Sequence, residues 1–266
     1  MPINIVDLGK MNYREALEIQ ERLLALRQQN TIGDVLLLVE HPAVLTLGTR
    51  GQYENILASE AVLATHGIET FEVNRGGDVT YHGPGQLVGY PIMNLSCCDN
   101  DIKTFIWKIE ETFIRLLADE FQIEASREDG KYTGVWVGND KITAIGIAVK
   151  RWVTMHGFAF NIATNLEHFK LINPCGITDK GVTSLEALLA AQSNIGASDN
   201  STAKDELAAQ DNFKEQDNST AKDELAAQDY KASVCVGALK PLVAKYFCEV
   251  FGREQRTVEI SELLKD

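Results

Sequence analysis

YTGVWVGNDKITAIGIAVKRWVTMHGFAFNI, residues 132–162, reads as a run of strands rather than helices. β-Branched and aromatic residues dominate it, and Gly138-Asn139-Asp140 has the turn chemistry that joins two antiparallel strands. Gly157 interrupts the third segment. Outward from this meander the periodicity changes. Residues 13–28 carry apolar positions at helical spacing, and Ile102, Phe105, Ile106, Ile109, Phe113, Leu116 and Leu117 form one core-facing helical stripe. GDVLLLVE (33–40) is a short continuous apolar run of the kind a buried strand needs, and IETFEV (68–73) and QLVGYPIMNL (86–95) read as further strands. Ser59 caps a short helix that Gly67 ends, Thr183 or Ser184 caps SLEALLAAQ, and Pro241 starts or kinks an apolar helix over 232–250. Antiparallel hairpins mixed with helices point to α+β layering and away from a doubly wound nucleotide fold.

The 266-residue chain is 45% hydrophobic, enough for a substantial core, and carries a net charge of −13. That charge excludes broad nucleic-acid binding, which needs a basic surface to displace phosphate counterions. No apolar run of eighteen residues occurs and the first residues lack the basic-then-apolar order of an export signal, so a cytoplasmic protein without membrane contact is expected. Five cysteines without CxxC or Cys/His spacing fit a reducing compartment and no structural zinc; Cys97 and Cys98 read as ordinary thiols. DNSTAKDELAAQD at 199–211 recurs letter for letter at 217–229. Two copies with almost no apolar surface make a solvated, disordered or weakly helical insert, not a solenoid. The chain thus divides into a main domain (1–195), an acidic insert (196–230) and a C-terminal helical segment (231–266) that packs back on the main domain.

RGGDVTYHGPGQ (75–86) gathers five glycines or prolines around Arg75, Asp78, Tyr81 and His82, far more than a surface connection requires, and reads as a loop built to approach something. Cys175 in Asn-Pro-Cys-Gly-Ile is a second candidate: Pro174 stiffens the approach and Gly176 lets the backbone come close. Most cysteines are small buried hydrophobes, and a thiol that attacks needs help to ionise. Lys141, just after a tight turn, is by itself an ordinary charge at a strand end. His82 and His156 have no metal-ligand spacing and fit hydrogen-bonding core positions equally well.

Taken in order, LLLVEHPAVLTLG (36–48), RGGDVTYHGPGQ, KITAIGIAV (141–149), HGFAFN (156–161) and NPCGI (173–177) resemble the octanoyltransferases of lipoate biosynthesis, over about residues 30–188. The resemblance implies one α/β catalytic domain with a mixed sheet and flanking helices, similar to the biotin and lipoate protein ligase-type transferase fold. It implies an acyltransferase that moves octanoyl, or lipoyl, from acyl carrier protein to a lysine of a lipoyl domain. It places the nucleophile on Cys175 and its lysine partner on Lys141. It places acyl binding on Arg75, Gly76, Gly77, Asp78, Val79, Thr80, Tyr81 and His82, on Ala144, Ile145 and Gly146, and on Gly157, Phe158 and Ala159. No cofactor is implied beyond the phosphopantetheine of octanoyl-acyl carrier protein; the acceptors implied are the lipoyl domains of 2-oxoacid dehydrogenase complexes and the glycine cleavage H protein.

Two rival readings remain at this point. An ATP-dependent lipoate or biotin protein ligase needs a glycine loop and a lysine but no nucleophilic cysteine. A non-catalytic acyl-carrier-binding protein needs only the pocket. Strict strand alternation also sets Lys141 on the face opposite Ala144 and Gly146, so either the strand start is irregular or the lysine reaches around its edge. Arg50, Arg75, Lys150 and Arg151 are candidates for a positive docking rim.

Overall fold

The computed structural model describes residues 1–128, 132–173, 180–202 and 234–265. A large mixed sheet runs in the order β12-β1-β2-β6-β10-β9-β8-β7, built from β1 (Ile3–Lys10), β2 (Val35–Glu40), β6 (Gln86–Ile92), β7 (Ser126–Arg127), β8 (Gly134–Val137), β9 (Asp140–Lys150), β10 (Val153–Asn161) and β12 (Gln255–Thr257). The short strand β11 (Gly181–Val182) joins the start of β9 in parallel. A second, three-stranded sheet orders β4 (Glu69–Glu72), β3 (Val44–Leu47) and β5 (Val79–His82).

Both faces of the large sheet are covered, which is why β2 reads as an almost unbroken apolar run and every residue of β10 is buried. Leu36, Leu38, Leu87, Phe158 and Phe160 face helices α3 (Ile102–Phe121) and α5 (Val236–Phe251), which pack on each other; Val35, Leu37, Val39, Val88 and Ala159 face α1 (Tyr13–Gln28). Period-2 alternation sorts neighbouring residues into two separate cores. The small sheet has its own core, with Leu45, Leu47, Val79 and Tyr81 packed against Phe169 and Ile172.

Helix α2 (Glu60–Thr65) has Ser59 Oγ accepting the Val62 N–H, and α4 (Leu185–Thr202) has Ser184 Oγ accepting the Ala187 N–H. Four expectations change. Residues 75–86 are not all loop, because Val79–His82 pairs with β3. Gly157 does not interrupt β10, which runs through it opposite Gly146. Pro241 does not start α5 but lies inside it, five residues after Val236. Ile102 and Ile106 leave the α3 core stripe: Ile102 is exposed and Ile106 half-buried. Residues 203–233, most of the acidic insert, lie outside the described residues.

Asp34 joins three parts of this architecture. Its buried carboxylate pairs with Arg27 at the end of α1 (2.7 Å) and with Arg253 beyond α5 (3.2 Å), and accepts the Asn94 N–H beyond β6 (3.0 Å). Replacing it strands two guanidinium groups in partly buried positions. Asp34→Ala is expected to cost about 3 kcal/mol, read as a lower urea midpoint at unchanged m-value.

Candidate active site

Three cavities meet at one side chain. The first is narrow, about 50 Å³, and lies between the sheets; Tyr13, Arg75, Gly76, Gly77, Thr80, His82, Val88, Tyr90, His156 and Ala159 line it together with Ala144, Ile145, Gly146, Gly157 and Phe158. The second, about 410 Å³, is bounded by Trp136, Phe169, Ile172, Asn173 and Lys180. The third, also about 410 Å³, runs past Arg50, Asp78, Ile102, Ile106, Tyr132 and Thr133. Lys141 lines all three.

A β-bulge puts it there. β8 and β9 pair Val135 with Thr143 but Trp136 with Lys141, so Ile142 is an extra residue in β9. One inserted residue reverses the alternation beyond it. Ile142 drops into the helix-covered core, and Lys141 turns to the same face as Ala144 and Gly146. The strand start is therefore irregular, and no reach around the sheet edge is needed. The Lys141 ammonium donates to Thr133 O at 3.2 Å and lies 4.7 Å from the centre of the Trp136 ring. Lys180 lies over that ring as well, at 4.6 Å.

The glycine loop folds as its composition requires at one point above all. A Cβ on Gly146 would stand 2.8 Å from Gly76 O and 3.1 Å from Arg75 Cδ, so the loop rests directly on the β9 backbone, and Gly76 N–H donates to Ile147 O. Buried Arg75 donates to Thr46 O (2.7 Å), Thr46 Oγ1 (2.9 Å) and Gly76 O (3.0 Å), which makes it the peg that holds the loop.

The eight loop residues expected to bind substrate divide. Arg75, Gly76, Gly77, Thr80 and His82 line the first cavity, whereas Val79 and Tyr81 point by strand alternation into the core of the small sheet. Tyr81 OH meets His168 Nδ1 at 2.8 Å. Asp78 lines the third cavity and is a fastener: it accepts the Gln52 and Val79 N–H groups and Asn55 Nδ2, while Asn55 O accepts the Asn173 N–H. Ala144, Ile145, Gly146, Gly157, Phe158 and Ala159 all reach the first cavity, and the Phe158 ring also packs at 4.9 Å on Phe113. Cys175 and Gly176 lie outside the described residues. The flanking Asn173 and Lys180 line the second cavity. Of the expected docking cations, Arg50 borders the third cavity; Lys150 ends β9 nine residues from Lys141, about 30 Å along an extended strand.

Sequence reasoning missed Tyr13, His41 and Tyr90. Tyr13 stacks on His82 and His41 Nε2 meets Tyr90 OH at 2.7 Å, uniting α1, the β2–β3 turn, β5 and β6 in a way no local pattern announces. Burial pushes His82 down to about 3, and His41 and His156 down to about 4; it pushes Tyr13 up to about 12. At neutral pH these groups therefore present uncharged rings, which suits an apolar occupant. Cys248 is likewise pushed up, to about 11, as an inert core thiol. Among the described residues no His/Cys/Asp/Glu cluster fits a metal ion, and no helix is long and apolar enough to cross a membrane.

The chain matches the family model of the lipoyl protein ligase A/B catalytic domain over residues 12–204. It is 63% identical over 191 residues to an octanoyltransferase of Caldicellulosiruptor bescii, which covers 72% of this chain and 84% of that protein. It is 60% identical over 188 residues to an octanoyltransferase of Desulforamulus reducens, covering 71% and 82%. Its fold resembles a lipoate-protein ligase A bound with ATP (TM-score 0.67, 13% identity, 98% of this chain and 90% of the other) and the P. falciparum LipL1 in complex with lipoate (TM-score 0.64, 13% identity, 99% and 68%). The chain belongs to the lipoyl protein ligase A/B catalytic-domain family and groups there with the octanoyltransferases. It is thus an acyltransferase on the α/β fold that its motifs implied.

The three buried histidines tie stability to pH. Their folded-state pKa values lie below the unfolded value near 6.5, so the unfolded chain binds more protons as pH falls. Each group is expected to cost up to about 1.4 kcal/mol per pH unit between about pH 6.5 and pH 4. Urea midpoints should fall from pH 7 to pH 5, and His156→Gln should flatten that fall.

Proposed function

We propose that this protein transfers an octanoyl group from the thioester of acyl carrier protein to a lysine of a lipoyl domain, in two steps through Cys175. The observation that carries this reading is the position of Lys141 at the junction of one small, largely apolar cavity and two larger ones. The largely apolar lining of the first cavity suits an acyl chain, for which each methylene taken from water contributes about 0.8 kcal/mol. Two larger cavities beside it suit two macromolecular substrates that meet the same reacting carbon in turn. Asn173 and Lys180, on either side of the segment carrying Cys175, line one of them beside Lys141.

In the first step the Cys175 thiolate attacks the donor's carbonyl carbon; the pantetheine sulfur leaves with the electron pair and takes a proton from the Lys141 ammonium, which becomes a neutral amine able to accept a proton in the next step. A cation nearby favours the thiolate form. In the second step the acceptor amine attacks the new thioester, the amide forms, and Cys175 sulfur leaves. The proton lost by the amine passes to Lys141 or to the departing sulfur. Exchange of thioesters is near balance and the amide is the stable product, so the cycle needs no ATP. Covalent catalysis divides one transfer between two proteins into two separately docked events.

Intact mass spectrometry after mixing with octanoyl-acyl carrier protein, without ATP, tests the route. Wild type is expected to gain one octanoyl group that a lipoyl domain discharges; Cys175→Ser gains none, and Lys141→Ala charges about 100-fold or more slowly. Transfer that appears only when free octanoate and ATP are supplied would replace this reading with ligase chemistry.

A further inference from the structure

Glu110 is a buried carboxylate on α3, 6% exposed, that the reaction above does not use. Its Oε1 accepts the Gly134 N–H at 3.1 Å. The same peptide bond, Thr133–Gly134, presents its carbonyl oxygen to the Lys141 ammonium at 3.2 Å. One peptide group is therefore held between an anion at its N–H and a cation at its C=O, an arrangement in which each hydrogen bond polarises and strengthens the other. We infer that Glu110 is a positioning residue for Lys141, acting through the Thr133–Gly134 peptide to aim its ammonium and stabilise its charge.

The backbone is shaped for this contact. Gly134 has φ +138, where a side chain is strained, and a Cβ there would stand 2.6 Å from Thr143 O and 3.2 Å from Lys141 Cε. Only glycine lets that peptide lie flat between the helix and the lysine. Behind the carboxylate, Arg127 approaches Glu110 Oε2 at 3.6 Å, is itself paired with Glu111, and stacks over Trp107. Burial pushes the Glu110 carboxyl up, opposed by the Gly134 N–H and by the charges of Arg127 and Lys141. Among the described residues, the other charged or titratable groups around Lys141 include Lys180, paired with Glu128, Tyr132 beside Trp136, and Lys170 along the second cavity; Arg50 and Asp78 across the third; and Arg75, Tyr13, His82, Tyr90 and His156 across the first. Within hydrogen-bonding reach of the Thr133–Gly134 peptide, Glu110 brings the negative charge.

The catalytic consequence rests on the role given to Lys141 above; the peptide relay does not. The test is an NMR titration of 13Cε-labelled lysines, with the Lys141 signal assigned by its loss in Lys141→Arg. Glu110→Gln keeps an acceptor for Gly134 but removes the charge, so the Lys141 midpoint is expected to fall by on the order of one pH unit. The pH profile of acyl transfer should move by the same amount; a purely structural role would lower the rate without moving it. Glu111→Gln removes an equal charge off the relay and is expected to leave the midpoint in place. In wild type the Gly134 amide proton should follow the Lys141 titration, a measurement that holds even where Glu110→Gln folds poorly. An unmoved midpoint in Glu110→Gln, or a Gly134 amide silent through the lysine titration, overturns the inference. Absence of the octanoyl adduct, with the relay intact, removes only the proposed reaction.

Discussion

The active side of this protein depends on the single extra residue at Ile142. With a regular β8–β9 ladder, Lys141 would share a face with Thr143 and Ile145, and Ile142 would leave its core position. The bulge satisfies both demands at once: the isoleucine stays buried under the helices and the lysine turns to the cavities. Packing selects the bulge, since an ammonium forced into the helix-covered core would be far costlier than one unpaired ladder position.

Around that lysine the site is built from close backbone approach rather than from long side chains. The loop at 75–78 rests on β9 because Gly146 has no Cβ, and the Thr133–Gly134 peptide reaches the lysine because Gly134 has none. Arg75 and Asp78, the charged members of the glycine loop, hold it in place through Thr46, Gln52 and Asn55. The polarity that made the loop conspicuous is thus spent largely on its own fixation, while neutral histidines, tyrosine and small residues form the wall. Apart from Arg75, which is held by Thr46, and Lys141, the wall is uncharged and accepts an alkyl chain.

The same economy explains the outer cavities. Lys141 and Lys180 both lie over Trp136, whose ring face attracts cations while its edge and indole N–H stay buried. Two like charges are thereby kept near one another at the ring, and Lys180 is paired with Glu128.

Much of this was legible in the chain itself. Helical spacing over 13–28, the apolar runs of β2 and β6, the turn at Gly138-Asn139 and the caps at Ser59 and Ser184 are local signals, because hydrogen bonding, capping and period-2 or period-3.6 burial are settled within a few residues. The five ordered motifs carried the family, and with it Lys141 and the three segments of the first cavity. What local pattern could not supply was parity and partnership. The bulge was invisible because nothing in Asp140-Lys141-Ile142 departs from strand composition; only pairing with β8 reveals the extra residue. Strand β5 was hidden inside a glycine loop because its partner, β3, lies more than thirty residues earlier. Tyr13, Tyr90, His41 and Glu110 entered the site from four separate elements, brought together by sheet order and helix packing. Sequence determined the elements and the chemistry they carry; tertiary structure alone decided which face each side chain shows and which distant groups share a hydrogen bond, since those depend on contacts between segments far apart in the chain.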